Sequence, residues 1–103
     1  MNAAEALRAE VAAKNKEIIE TIIEPKRERI LSAVAEGIRR IGYVTIDTSG
    51  YDTSSMEGRM TGIYDSKYLN ALAEWLRTEG FKVSRQWWGC CSDGDPDMLT
   101  IKL

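Results

Sequence analysis

Two stretches of this chain hold the residues best suited to gripping a ligand. One is Trp87-Trp88-Gly89-Cys90-Cys91. On a strand, neighbouring side chains point to opposite faces, so the two indoles must part, one toward a core and one outward. An outward indole offers a platform for stacking a base, or an anchor for a protein partner. Gly89 and the small cysteines leave space beside it. The plainer reading packs that indole beneath an N-terminal helix.

The other stretch is residues 48–65, where Gly50, Gly58 and Gly62 are interleaved with Tyr51, Thr53, Ser54, Ser55, Arg59 and Thr61. Accessible amides, hydroxyls and a guanidinium suit a phosphate or another anion. The stretch lacks the Gly-x-x-x-x-Gly-Lys-Ser/Thr order of a nucleotide-hydrolysing loop, and no dinucleotide fingerprint occurs. An ordinary surface loop accounts for the same composition.

Several chemistries are disfavoured. The chain has no histidine, which removes the usual general base near neutral pH and the commonest metal ligand. Serine–histidine and cysteine–histidine nucleophile pairs are impossible within one chain. Zinc would have to rely on two cysteines and carboxylates, a poor set. Cys90 and Cys91 are adjacent, so a bond between them would close a strained local ring and staple nothing distant. Asp93-Gly94-Asp95-Pro96-Asp97 resembles the opening of a calcium loop, but Met98 replaces the turning glycine. A hairpin turn explains those residues better. The reading is therefore no enzyme, no cofactor and no metal site.

The elements that position these stretches follow from periodicity. Residues 3–23 read as a helix with apolar residues at Ala4, Leu7, Val11, Ile18 and Ile22. Pro25 is expected to break or kink it, since proline lacks a donor and constrains Glu24. A second helix over 25–41 carries Leu31, Val34, Ile38 and Ile41 on one stripe and stops at Gly42. Lys26, Arg27 and Arg29 near its start read as a solvated face. Residues 43–47 alternate as a strand, and Met60 to Tyr64 offers another brief one. A third helix spans 66–79, capped by Asp65 or Ser66 and stopped by Gly80. Phe81 to Trp88 and Leu99 to Leu103 complete a hairpin, with Val44/Ile46, Phe81/Val83 and Leu99/Ile101 inward. The fold class is α+β: two long N-terminal helices, then β-α-β-β with a small antiparallel sheet.

At 103 residues the chain suits one core, divided into an N-terminal helix at 1–24 and an α+β domain at 25–103. Its formal net charge of −2 gives no basic excess for a phosphate backbone, so nucleic acid is an unlikely partner. A winged-helix reading fits poorly, because the helix over 66–79 offers only Lys67 and Arg77 as cations. No signal peptide and no membrane-spanning run stand out, and the cysteine usage suits a reducing cytoplasm. A helix of 3–23 is about 31 Å long at ~1.5 Å per residue, too long for a small domain to cover. Its stripe of Leu7, Val11, Ile18 and Ile22 is expected to meet a second copy in a homo-oligomer.

From residue 30 onward the pattern resembles small accessory proteins encoded by tailed bacteriophages. The matching pieces are Ile41-Gly42-Tyr43 before a short strand, Leu72-Ala73-Glu74-Trp75-Leu76-Arg77-Thr78-Glu79-Gly80-Phe81-Lys82-Val83, and the closing Leu99-Thr100-Ile101-Lys102-Leu103. The resemblance is architectural and carries over no site residue. It implies a viral protein working in a host cytoplasm, either blocking a host protein or sequestering a nucleotide signal of host defence. Together with the residues, it suggests a non-catalytic protein that holds a small anionic ligand. Tyr51, Ser54, Ser55 and Arg59 would meet the anion, and Trp87 or Trp88 would stack. The alternative is a protein–protein inhibitor or structural accessory.

Overall fold

The computed structural model describes residues 2–47, 56–63, 65–86 and 98–103. Its element order begins with a helical run of changing pitch. Helix α1 spans Ala3–Ile18, followed by a π-helical turn at Ile19–Ile23, a 3-10 turn at Glu24–Lys26, and helix α2 at Arg27–Ile41. Strand β1 (Val44–Asp47), the short helix α3 (Met56–Met60), a 3-10 turn (Ser66–Tyr68), helix α4 (Leu69–Thr78) and strands β2 (Lys82–Gln86) and β3 (Met98–Lys102) follow. The α+β class expected from the sequence is the one observed.

Pro25 does not end the helical run. The chain absorbs it by widening the turn ahead: the Glu24 N–H reaches back five residues to the Ile19 carbonyl. That leaves proline in the first turn of the next segment, where its missing N–H costs nothing. The run stops at Gly42, whose φ of 90° is the left-handed conformation that closes a helix. At the other end, the Asn2 side chain accepts the Glu5 N–H at 2.9 Å and caps α1.

The sheet has the order β1-β3-β2, both pairings antiparallel. Val44, Ile46, Leu99 and Ile101 lie on one face and are buried, with Val83 packed beside them. Onto this face fall Ile23, Ile30 and Val34 from the N-terminal run, Ile63, and α4. Leu69, Ala71, Leu72, Ala73, Trp75 and Leu76 of α4 are all buried, so that helix is covered on more than one side. It contacts α1 and the π turn as well as β2 and β3.

The buried side of α2 is rotated from the stripe that hydrophobicity marks. Ile30, Ala33, Val34 and Gly37 are buried, whereas Leu31 and Ile38 are half-buried and Ile41 is exposed. Small residues explain the shift. A Cβ on Gly37 would overlap Cγ2 of Val44 and stand 3.3 Å from Cβ of Glu57. Helix, strand and α3 converge there because that position has no side chain.

The brief strand expected over Met60 to Tyr64 is absent among the described residues. Residues 56–60 form a helical turn instead, closed by Thr61 and Gly62, whose N–H groups donate to the carbonyls of Gly58 and Arg59 at 3.3 Å. Gly62 has φ 77°, a conformation that a strand cannot contain.

Candidate functional site

The register puts the last residues of β1 and β2 at one end of the sheet. Asp47, the last residue of β1, pairs with Met98, and so does Gln86, the last residue of β2. With strands about 4.8 Å apart, Asp47 and Gln86 stand roughly 10 Å from each other. Residues 48–55 depart from the first and residues 87–97 from the second. Tyr51, Ser54, Ser55, Trp87 and Trp88 lie outside the described residues. Arg59 is described: it sits on α3 and is exposed.

The far side of the glycine-rich stretch is tied down by α2. Arg40 grips Glu57 with two hydrogen bonds, Nε to Oε1 at 2.6 Å and Nη2 to Oε2 at 3.0 Å. Arg29 donates from Nε to the Met60 carbonyl at 2.6 Å, and Lys26 from Nζ to the Gly62 carbonyl at 3.0 Å. The Thr61 hydroxyl donates to the Gly58 carbonyl at 2.8 Å, and Thr61 and Ile63 are buried. A glycine-rich segment has few side chains to satisfy its own carbonyls, so cations from the helix supply the donors. The Arg40 hydrogen bonds hold the Glu57 carboxyl below its ordinary value, and they raise the Arg40 guanidinium in turn.

The cations at the start of α2 therefore do more than face solvent. Arg27, between Lys26 and Arg29, pairs with Glu79 and lies 5.7 Å from the ring centre of Trp75. Trp75 in turn donates from Nε1 to Glu24 at 3.1 Å. Sequence reasoning missed these roles because each partner is distant in the chain. The i, i+3 spacing of Lys26 and Arg29 was the available signal.

The sheet's second face is mixed, with Met98 and Thr45 buried and Ser84, Gln86, Lys82 and Lys102 exposed. Thr45, Thr100 and Ser84 form one row across the three strands; Asp47, Met98 and Gln86 form the row at the end already described. At the opposite end Lys102 stands directly across from Lys82.

Two of the grooves among the described residues bear on this reading. One, about 530 Å³, runs between α2 and α3 and is lined by Ser32, Glu36, Arg40, Glu57 and Met60. Its two carboxylates against one guanidinium make it wrong for an anion. The other, about 390 Å³, is lined by Leu7, Arg8, Val11, Ala12 and Glu74.

Of the four residues expected to join copies, Leu7 and Val11 are 59% and 51% exposed. Ile18 and Ile22 instead pack, half-buried, against the chain's own core. Among the described residues no helix is long and apolar enough to cross a membrane, and no group of three or more acids or cysteines is placed to hold a metal. Compared with known protein families, with curated proteins and with solved structures, the chain matches none.

Proposed function

We propose that this chain is a non-catalytic binding protein, of viral accessory type, that sequesters a small anionic ligand such as a nucleotide signal. The observation that supports the reading is the shared partner Met98: Asp47 and Gln86 both pair with it, so the strand ends to which residues 48–55 and 87–97 are joined lie at one end of the sheet. The hydroxyls and arginine of one stretch and the indoles of the other then serve one ligand. Anchoring of residues 56–63 by Arg40, Arg29 and Lys26 supports this, because a preorganised loop loses less entropy on binding.

The test is the thermal midpoint of the full chain in a nucleotide series. A ligand at ~100 times its Kd adds about 2.7 kcal/mol to the native state. The expected result is a rise that vanishes in a Trp87→Ala, Trp88→Ala double variant. An unchanged midpoint at millimolar nucleotide would refute the reading.

A second reading, a protein-partner surface on α1, is favoured by the uncovered N-terminal half of that helix. Every residue from Asn2 to Lys14 is exposed. Either a second copy or a host protein would bury Leu7 and Val11. Light scattering decides the first case: a single-copy mass at high concentration excludes self-association. A Leu7→Glu, Val11→Glu variant should abolish any larger species without altering the fold.

A further inference from the structure

One edge of the sheet lies open. In the order β1-β3-β2, strand β2 has no neighbouring strand on its far side, and Lys82, Ser84 and Gln86 along it are exposed. Two hydrogen bonds show which of its backbone groups face outward. Phe81 donates its N–H to the Leu76 carbonyl at 3.1 Å, and the Val83 carbonyl accepts from Arg77 Nη2 at 2.9 Å. Both partners lie on α4, not on β3. In an antiparallel ladder the N–H and C=O of one residue point the same way, and the direction alternates along the strand. The N–H of Val83 and both backbone groups of Arg85 therefore point outward as well. Among the described residues no backbone group meets them.

The charges along this edge are all positive. Arg77 caps the Val83 carbonyl, Arg85 donates from Nη1 to Asn70 Oδ1 at 2.8 Å, and Lys82 stands directly across from Lys102 of β3. Among the described residues none of these four cations pairs with a carboxylate. A lysine on an edge strand deters indiscriminate pairing with other chains. That purpose does not cover Lys102, which sits on the central strand and opposes a like charge at a cost in stability.

We propose that the outer edge of β2 takes up an extended, acidic segment of a partner protein as a fourth strand. The proposal goes beyond the nucleotide reading and uses none of its residues. The added strand exchanges main-chain hydrogen bonds with Val83 and Arg85. The Val83 carbonyl has a second lone pair, so Arg77 need not leave it. On the face of Lys82 and Ser84, the partner's side chains come within about 5 Å of Lys82, where a carboxylate offsets the repulsion from Lys102. On the other face they adjoin Phe81 and Val83, which pack against the core, so apolar residues fit there. The segment recognised thus alternates acidic and apolar residues. A second copy would bring the same cations to the edge and is not the partner.

The experiment titrates the full chain with a capped peptide alternating glutamate and valine over about seven residues, an ordinary strand length, and with its lysine counterpart. Calorimetry reads affinity, and hydrogen exchange reads each amide. The acidic peptide should bind and the basic one should not. Exchange at Val83 and Arg85 should slow at least about tenfold, while Ser84, already bonded to β3, changes little. Arg85→Pro removes an outward N–H, a place where an edge strand tolerates proline; Arg85→Ala keeps it. The proline variant should bind at least about tenfold more weakly than the alanine variant, and equal binding would overturn strand addition. Should Arg85→Pro fail to fold, the exchange at Val83 and Arg85 decides alone. Lys82→Glu should weaken the acidic peptide by a similar factor, and unchanged affinity would overturn the acidic identity of the partner. No binding of the acidic peptide at millimolar concentration would overturn the whole proposal. So would a two-copy mass with Val83 and Arg85 already protected, which would assign the edge to a second copy.

Discussion

Gly37 is where helix and strand approach most closely, and a single methyl group tests that approach. Alanine there would gain about 1 kcal/mol of helix propensity. It would also drive a carbon into Val44, which is fully buried on β1 and has nowhere to retreat. Overpacking of this kind costs typically 1–3 kcal/mol, so Gly37→Ala should lower the urea midpoint. A rise would mean that α2 and β1 stand further apart. Glu57 gives a second test. Its carboxyl is depressed by Arg40, so the stability it contributes is full above the ordinary glutamate value, about 4.3, and is lost as pH falls through the lower folded value. Glu57→Gln should therefore melt below the parent at pH 7, and the gap should close as the pH is taken below about 4. A gap independent of pH would show that the Arg40 contact does not depend on the charge.

At the scale of elements, the N-terminal run has two unlike halves. Ile23 is fully buried in the core, while Leu7 is more than half exposed sixteen residues earlier. Ile23→Ala should cost about 2–5 kcal/mol, as large-to-small core changes do. Leu7→Ala should change stability by no more than ~0.5 kcal/mol in a monomer. Equilibrium urea unfolding measures both, and equal costs would mean that the first half is also covered in solution. This division was only half legible in the chain. The apolar stripe of Leu7, Val11, Ile18 and Ile22 is continuous, and periodicity alone cannot say where the protein's own core stops covering it. The ends of α2 and α4, the three observed strands and the cap at Asp65 were readable because Gly42, Gly80 and the alternating residues act locally. The buried face of α2 was misjudged because alanine and glycine carry little hydrophobic signal, yet they set the closest approach. The Lys26, Arg29 and Arg40 contacts were hidden for another reason: a cation's partner depends on segments up to 36 residues away, as Lys26 and Gly62 show. Of the candidate site, the residue types were legible. That the last residues of β1 and β2 share the partner Met98 needed the register.

For the whole molecule, the decisive element is β3. It is the only bridge between β1 and β2, which share no hydrogen bond in the described sheet. A proline inside a central strand removes a ladder donor and is hardly tolerated, at about 3 kcal/mol or more. Thr100→Pro should therefore abolish cooperative thermal unfolding, read by circular dichroism, while Leu103→Pro just beyond the strand should not. Persistence of a sharp transition in Thr100→Pro would mean that helices alone sustain the fold.

That central position has a consequence for biogenesis. β3 is translated after both strands that it joins, with some fifty residues separating Asp47 from Met98. At about 5–20 residues per second, β1 waits roughly 3–10 s on the ribosome without its neighbour. Throughout that interval Val44 and Ile46 have no sheet to enter. The three-stranded sheet therefore cannot assemble until the residues from Met98 onward have been made.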